Sequence, residues 1–267
     1  MGSERMDTRI ALEKGTKLCF SSGENTIVTY LIQKEIGRGG SCIVYDASYT
    51  NQMAQKRLVR IKECYPFKLD IKRDKENRLM ANQEDQKFFE GCKQRMKQAF
   101  YLCNELFDTA GLTNSISNTL DIYSANETLY IVSTYLQGKP LAVNTPTSLK
   151  ECISIVKSVA KTVKRIHEKG YLYLDIKPEN IFVLDGITEL VQLFDFDSLM
   201  AISKENIKIE EFDNRISYTN GFAALDQQLG QMNRLGKYTD VFGIGAVLFY
   251  LLFGTPPDAL NCEWDAE

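Results

Sequence analysis

The chain has 267 residues, of which 44% are hydrophobic and 25% charged, and its formal net charge is −3. These are values of an ordinary globular protein, large enough for one big domain or two lobes, and they exclude nucleic-acid binding by bulk charge. The 7 cysteines include no C-x-x-C pair, and the single histidine, His167, excludes a His-rich metal site.

Such cysteine usage fits a reducing, cytoplasmic setting rather than a disulfide framework or zinc site. The N-terminus has no apolar core of a signal peptide. It also lacks the Ser or Thr at position six that a myristoylation motif needs. The longest apolar run, Val241 to Phe253, is too short to span a bilayer. No membrane segment and no nucleic-acid partner are expected.

In chain order, residues 1–25 are mostly polar and read as an irregular N-terminal extension. Thr26 to Ile36 is rich in β-branched residues and predicts a strand. Gly37 to Gly40 is a turn, and Cys42 to Ala47 and Leu58 to Lys62 are two further strands. Lys68 to Asp85 is dense in charge and reads as a solvated loop. From Gln86 to Phe107, Phe89, Cys92, Met96, Ala99, Cys103 and Leu106 recur at three- and four-residue steps, the stripe of an amphipathic helix. Leu120 to Tyr123 and Thr128 to Tyr135 are strands about the turn at Asn126-Glu127.

The pattern then becomes helical. Leu149 to Ile166 carries one apolar face and stops at Lys169-Gly170. A short polar stretch follows, Tyr171-Leu-Tyr-Leu-Asp-Ile-Lys-Pro-Glu-Asn-Ile-Phe182. Two apolar runs, Ile181 to Leu184 and Leu190 to Phe194, flank a turn at Asp185-Gly186 and predict a hairpin. That hairpin returns Asp195 and Asp197 to the end that carries Asp175, Lys177 and Asn180. Residues 197–218 are polar and read as flexible. Asp240 to Phe253 predicts a buried helix. A strand-rich half followed by a helix-rich half argues for an α+β chain of two lobes, 26–136 and 137–267, with a cleft near residues 136–140.

Carboxylates, an amide and an ammonium converging on one loop suit metal-assisted phosphoryl transfer. Asp175-x-Lys177-Pro-x-Asn180, followed at this distance by Asp195-Phe196, resembles the catalytic and metal-binding loops of the protein kinase family. Glu35-Ile-Gly-Arg-Gly-Gly-Ser-Cys-Ile-Val-Tyr45 resembles its glycine-rich nucleotide loop, with Cys42 at the third glycine position. Val59-Arg-Ile-Lys62 resembles its strand lysine motif. Leu129 to Leu136 resembles the strand and hinge that grip adenine, with Ser133 as gatekeeper. Thr219-Asn-Gly-Phe-Ala-Ala-Leu-Asp226 resembles its substrate segment, and Asp240 the aspartate that braces the catalytic loop.

The resemblance covers about residues 30–258 and implies a divergent, bacterial-type Ser/Thr protein kinase. On that basis the fold is the two-lobed kinase fold, with the family's final helices missing from this chain. ATP would lie against Ile36, Gly37, Gly39, Gly40, Val44 and Lys62. Asp175 and Lys177 would be catalytic, Asn180 and Asp195 would hold Mg2+, and Thr219 would belong to the substrate segment. A nucleotide and a protein substrate are the implied partners.

The residue that pairs with Lys62 stays open among Glu90, Gln98 and Glu105, the last placed by counting to Asn114-Ser-Ile116. Departures from the pattern keep two alternatives in view, a nucleotide-binding pseudokinase and a small-molecule phosphotransferase. Leu174 replaces the arginine that reads activation-loop phosphorylation, and Asp197 replaces the glycine after Asp195-Phe196. Ser198, Ser203, Ser217 and Thr219 are candidate autophosphorylation sites.

Overall fold

A computed structural model describes residues 6–21, 27–108, 119–143, 148–184, 187–202 and 218–257. The turn at Asp185-Gly186, the segment Asn114 to Ile116, Ser203, Ser217 and Cys262 lie outside the described residues. The chain divides into two compact units, Met1–Asn104 with Asn118–Tyr135, and Glu105–Ser117 with Leu136–Glu267.

The first unit is a six-stranded antiparallel sheet of order β1-β2-β3-β4-β8-β7. Its strands are β1 (Lys17–Ser21), β2 (Ile27–Arg38), β3 (Cys42–Thr50), β4 (Lys56–Cys64), β7 (Thr119–Ala125) and β8 (Thr128–Thr134). A small hairpin of β5 (Ile71–Arg73) and β6 (Leu79–Ala81) precedes the helix α1 (Gln86–Asp108). Alternation sends Ile43, Tyr45 and Ala47 of β3 and Val59 and Ile61 of β4 into one core. The α1 residues Phe89, Met96 and Phe100 join that core, at the helical spacing their positions predict.

Two sequence expectations fail in this unit. The stretch 1–25 is not irregular throughout, because Lys17–Ser21 forms β1, pairing antiparallel with Ile27 to Leu31. Leu18 and Phe20 alternate inward, and five residues with two apolar positions are too short a signal to recognise in a polar stretch. The charged stretch Lys68 to Asp85 is not a solvated loop either. Ile71 and Leu79 are buried, and the Arg73 side chain is covered with them. Burial of Arg73 is possible because Nη2 meets Glu63 Oε2 at 2.6 Å, with both side chains under 5% exposed. Glu63 also accepts from Tyr45 (2.8 Å) and Tyr130 (2.9 Å), so its carboxylate is hydrogen-bonded on both oxygens. Burial first, and then the Glu63 charge, pushes both phenols above their usual range.

The chain before β1 is also ordered by charge. Asp7 accepts from Arg9 Nη2 at 2.7 Å, and the hydrogen-bonded Arg9 guanidinium holds the Asp7 carboxyl down at about 2. A depressed carboxyl adds stability that is present above its unfolded pKa, near 3.9, and is lost as pH falls through the folded value. Asp7 is partly exposed, so solvent screening reduces its contribution to about 1 kcal/mol. Asp7→Asn is therefore expected to lower stability by about that amount at pH 7. The gap from the parent should close between pH 4 and pH 2, as urea denaturation at a series of pH values would read.

The second unit is mainly helical. Helix α2 (Leu149–Glu168) starts at Ser148, whose hydroxyl accepts from Glu151 N. It packs on α4 (Lys237–Phe253) and on β12. A three-stranded sheet of order β12-β11-β9 is built from β9 (Gly138–Pro140), β11 (Ile181–Leu184) and β12 (Ile187–Leu193). Gly138 has φ +150°, and a Cβ there would sit 2.2 Å from Val183 O, so only glycine lets β9 approach β11. The short β10 (Tyr171–Leu172) pairs with β13 (Met200–Ala201), and a one-turn helix, α3 (Leu225–Gln228), precedes α4.

The expectation that Asp240 to Phe253 is fully buried is corrected. Helix α4 starts at Lys237, and only one side, including Asp240, Gly243, Val247 and Leu251, is buried. Val241 and Phe253 are more than 60% exposed. An all-apolar run hides which face is covered, because periodicity carries no information when every position is apolar. Among the described residues, no helix is long and apolar enough to cross a membrane.

Candidate active site

The second unit gathers most of the residues singled out by chemistry. Helix α2 ends at Glu168, and the chain passes through β10 into a loop whose backbone is held from below. Asp240, the fourth residue of α4, is 1% exposed. Its carboxylate accepts from Tyr173 N (2.9 Å), Leu174 N (2.8 Å) and His167 Nε2 (2.7 Å). His167 is thus a structural partner of Asp240, as its place at the end of α2 suggests.

Leu174 has φ +64°, a conformation that costs an ordinary residue roughly 1–3 kcal/mol. Three contacts hold it there. Asp240 takes the N–H groups of Leu174 and its predecessor, and Gln227 Nε2 donates to Leu174 O at 2.7 Å. Its side chain is buried with Leu172 and Leu235. Gln227 is a residue that sequence reading missed, because a lone glutamine in a short helix carries no pattern. Tyr173 fills a packing role, with its hydroxyl donating to Phe194 O and its ring edge-on to Phe196 at 5.3 Å.

With this backbone set, Asp175 becomes a hub. Its Oδ2 accepts from Asn180 Nδ2 at 2.7 Å and lies 2.9 Å from Lys177 Nζ. Lys177 Nζ donates to Thr219 Oγ1 at 3.2 Å, and Thr219 Oγ1 in turn approaches Asp175 Oδ1 at 3.5 Å. Burial raises the Asp175 pKa. The Lys177 charge and hydrogen bond oppose that shift, the Asp195 charge adds to it, and the Asn180 bond opposes it.

Asn180 closes a single 3-10 turn, Pro178–Asn180, and Asp195 follows β12. Ile181 pairs with Leu193, and Phe194 N donates to Asn180 O at 2.9 Å. The hairpin therefore returns Asp195 to the end where Asn180 sits, as the two apolar runs predict. Asp195 has φ +60°, which an aspartate adopts more readily than most residues.

The donor set fits magnesium. Asn180 is buried and spends its Nδ2 on Asp175, so its amide oxygen is the atom that would serve a metal, and Asp195 would add a carboxylate. Hard oxygen donors in this small number suit an ion that takes its other ligands from phosphates and water. Among the described residues, no group of three or more His, Cys, Asp or Glu side chains could hold a metal by itself.

The first unit carries the other predicted residues. Gly37 pairs with Val44, Val44 with Lys62, and Lys62 with Ile131, so one register row runs across β2, β3, β4 and β8. Cross-strand partners share a face, which places Val44 and Lys62 side by side. Ile36 sits at a register shift between Glu35 and Gly37. Gly39 and Gly40 form the turn between β2 and β3, with Gly39 N donating to Cys42 O. A Cβ added at Gly37 or Gly40 would meet nothing within 4 Å, and neither has a positive φ. Neither packing nor backbone conformation requires glycine there, which is the condition of a cradle open to a ligand. Ser133 pairs with Arg60 on the neighbouring row.

The three residues left open as partners of Lys62 all lie on α1. Glu90 bonds Lys93 at 2.6 Å, and Glu105 pairs with Lys169. Gln98 is exposed on α1.

A family model for the protein kinase domain matches residues 30–263. The chain is 29% identical over 229 residues to serine/threonine-protein kinase D of Synechocystis sp., covering 84% of this chain and 40% of that protein. It is 26% identical over 234 residues to a probable serine/threonine-protein kinase PknB of Lactococcus lactis subsp. lactis, covering 85% of this chain and 32% of that protein. It thus spans less than half the length of either relative. Among solved structures, PpkA-294 in its apo form superposes with a TM-score of 0.68 at 25% identity, covering 93% of this chain and 80% of that one. Matched over most of its length, the chain belongs to the protein kinase domain family, with bacterial serine/threonine-protein kinases among its relatives.

Proposed function

We propose that this chain transfers the γ-phosphoryl group of ATP to serine or threonine hydroxyls of a protein substrate. The observation that carries this reading is the hydrogen-bonded cluster of Asp175, Lys177, Asn180 and Thr219. Asp175 orients the acceptor hydroxyl and takes its proton, which its buried position and raised pKa favour. Lys177, steered by Thr219, neutralises the charge of the phosphoryl group in transit. Asn180 and Asp195 would hold magnesium, whose charge offsets that of the phosphates. In the first unit, Gly37, Gly39 and Gly40 let the backbone approach the phosphates, Val44 and Ile36 cover the adenine, and Lys62 meets the inner phosphates.

The lysine two positions after Asp175, together with Thr219 on its ammonium, favours hydroxyls of serine and threonine. Leu174 is buried and apolar, so the catalytic loop has no arginine at this position to read a phosphorylated activation segment.

Incubating the full-length protein with magnesium and ATP, then mapping phosphate by mass spectrometry, tests the reading. Phosphoserine or phosphothreonine that disappears when magnesium is chelated is the expected result. Nucleotide binding without turnover would make the chain a pseudokinase, a reading that Asp197 and Cys42 favour by departing from the family's glycines. Phosphorylation of a metabolite and of no protein would overturn the protein substrate.

A further inference from the structure

Residues just before β1 contact both ends of the glycine-rich turn. Arg9, 8% exposed, sends Nη1 to Tyr65 O (2.5 Å) and to Cys42 O (3.3 Å), the first residue of β3. Its Nε and Nη2 are held by the Asp7 carboxylate at 3.0 and 2.7 Å. Asp7 Oδ1 also lies 3.4 Å from Arg38, the last residue of β2. Arg38 donates Nη1 to Arg9 O at 2.8 Å and forks onto Glu35 at 2.6 and 3.0 Å. Further along, Leu12 N donates to Tyr45 OH, and Arg73 Nε donates to Ile10 O.

The Asp7 and Arg9 contacts include both residues that bracket the Gly39–Ser41 turn, Arg38 and Cys42. The turn itself leans on the chain after β4, through Tyr65 N to Ser41 O and Phe67 N to Gly40 O. Arg9 binds Tyr65 and sits beside the Phe67 ring at 5.6 Å. One short segment therefore ties together the three stretches of chain that meet at the turn. The bonds are charge-assisted and several are bidentate, which fixes orientation as well as energy. The arrangement also commits the Arg38 guanidinium to Glu35, Asp7 and Arg9 O.

We propose that residues Asp7 to Leu12 are a brace that sets the position of the glycine-rich turn, with Asp7, Arg9 and Arg38 as positioning residues for the nucleotide's phosphates. The proposal rests on the reading of that turn as the nucleotide site. A turn held in place by the protein need not be ordered by the nucleotide, so the brace contributes to affinity by preorganisation. Its loss weakens nucleotide binding and raises KM for ATP, while kcat stays near the parent value because the phosphoryl-transfer groups sit on other elements.

The test uses Asp7→Asn, Arg38→Ala and the double variant in the full chain, with Arg38→Lys as the conservative replacement. Ile10→Ala, whose side chain is 62% exposed, is the control. Two readouts are taken, hydrogen exchange of the amides of residues 39–42 without nucleotide, and equilibrium binding of magnesium-ATP. Asp7→Asn and Arg38→Ala are expected to speed exchange at the turn and to weaken binding roughly three- to tenfold. The double variant should fall short of the product of the two, because both remove the same contact. Arg38→Lys should recover part of the loss, and Ile10→Ala should match the parent. Unchanged exchange, or unchanged affinity in a protein that binds nucleotide, would overturn the brace alone. Failure of the unaltered protein to bind magnesium-ATP would overturn the nucleotide reading and the positioning role with it, even with faster exchange in the variants.

Discussion

Replacing Asp175 with asparagine is expected to lower the rate of phosphoryl transfer by roughly 10²–10⁴-fold while leaving nucleotide affinity near the parent value. Asparagine keeps the shape of the side chain and an oxygen toward its neighbours, but it cannot take the proton of an attacking hydroxyl. Stability should not fall with activity. The Asp175 pKa is raised in the folded protein, by burial first. A carboxyl of that kind supports folding below its unfolded pKa and loses that support as pH rises through its folded pKa. At neutral pH its ionisation therefore opposes folding, and the asparagine variant should unfold at an equal or higher urea concentration. Labelled-ATP transfer and a urea titration on the same preparation would check both halves. Full activity in the variant would remove Asp175 from the chemistry.

Replacing Asp240 with alanine is expected to cost about 3–5 kcal/mol of stability, the range for breaking a buried charged network by removing one partner. Two buried backbone N–H groups and His167 would lose their acceptor at once. The effect should extend to activity. Leu174 keeps its left-handed backbone only because Asp240 and Gln227 hold it, and Asp175 is the next residue. Release of Leu174 would swing Asp175 away from Lys177 and Asn180. Asp240→Asn, which keeps one acceptor oxygen, should lie between the parent and the alanine variant in a denaturant titration. Parent-like stability and turnover in Asp240→Ala would refute the bracing role.

The different fates of individual residues follow physical lines. The hairpin of Ile181 and Val191 was legible because two apolar runs about a turn have few alternatives. So was α2, whose apolar positions repeat at helical steps over 20 residues. Strand β1 was not, since its two inward residues, Leu18 and Phe20, are too few to form a pattern. Arg73 was read as solvated because a charged side chain is buried only where a partner meets it, and that partner, Glu63, lies ten residues away on another strand. For α4 the limit was the reverse, as apolar residues on every face leave no clue to which one α2 covers.

The candidate site divides in the same way. The sequence alone determined which groups are present: Asp175, Lys177, Asn180 and Asp195 at spacings that few loops other than a phosphoryl-transfer loop require. It also determined the two departures, Leu174 and Asp197, since these are matters of residue identity. Only the tertiary structure decided what orients these groups. Thr219 reaches Lys177 across 42 positions, Asp240 reaches Leu174 across 66, and Gln227 reaches it across 53. Arg38 meets Arg9 across 29, a contact that joins the segment before β1 to the end of β2. Short-range spacing is written along the chain, whereas a hydrogen bond between distant residues exists only once the sheet and helices have brought them within about 3 Å.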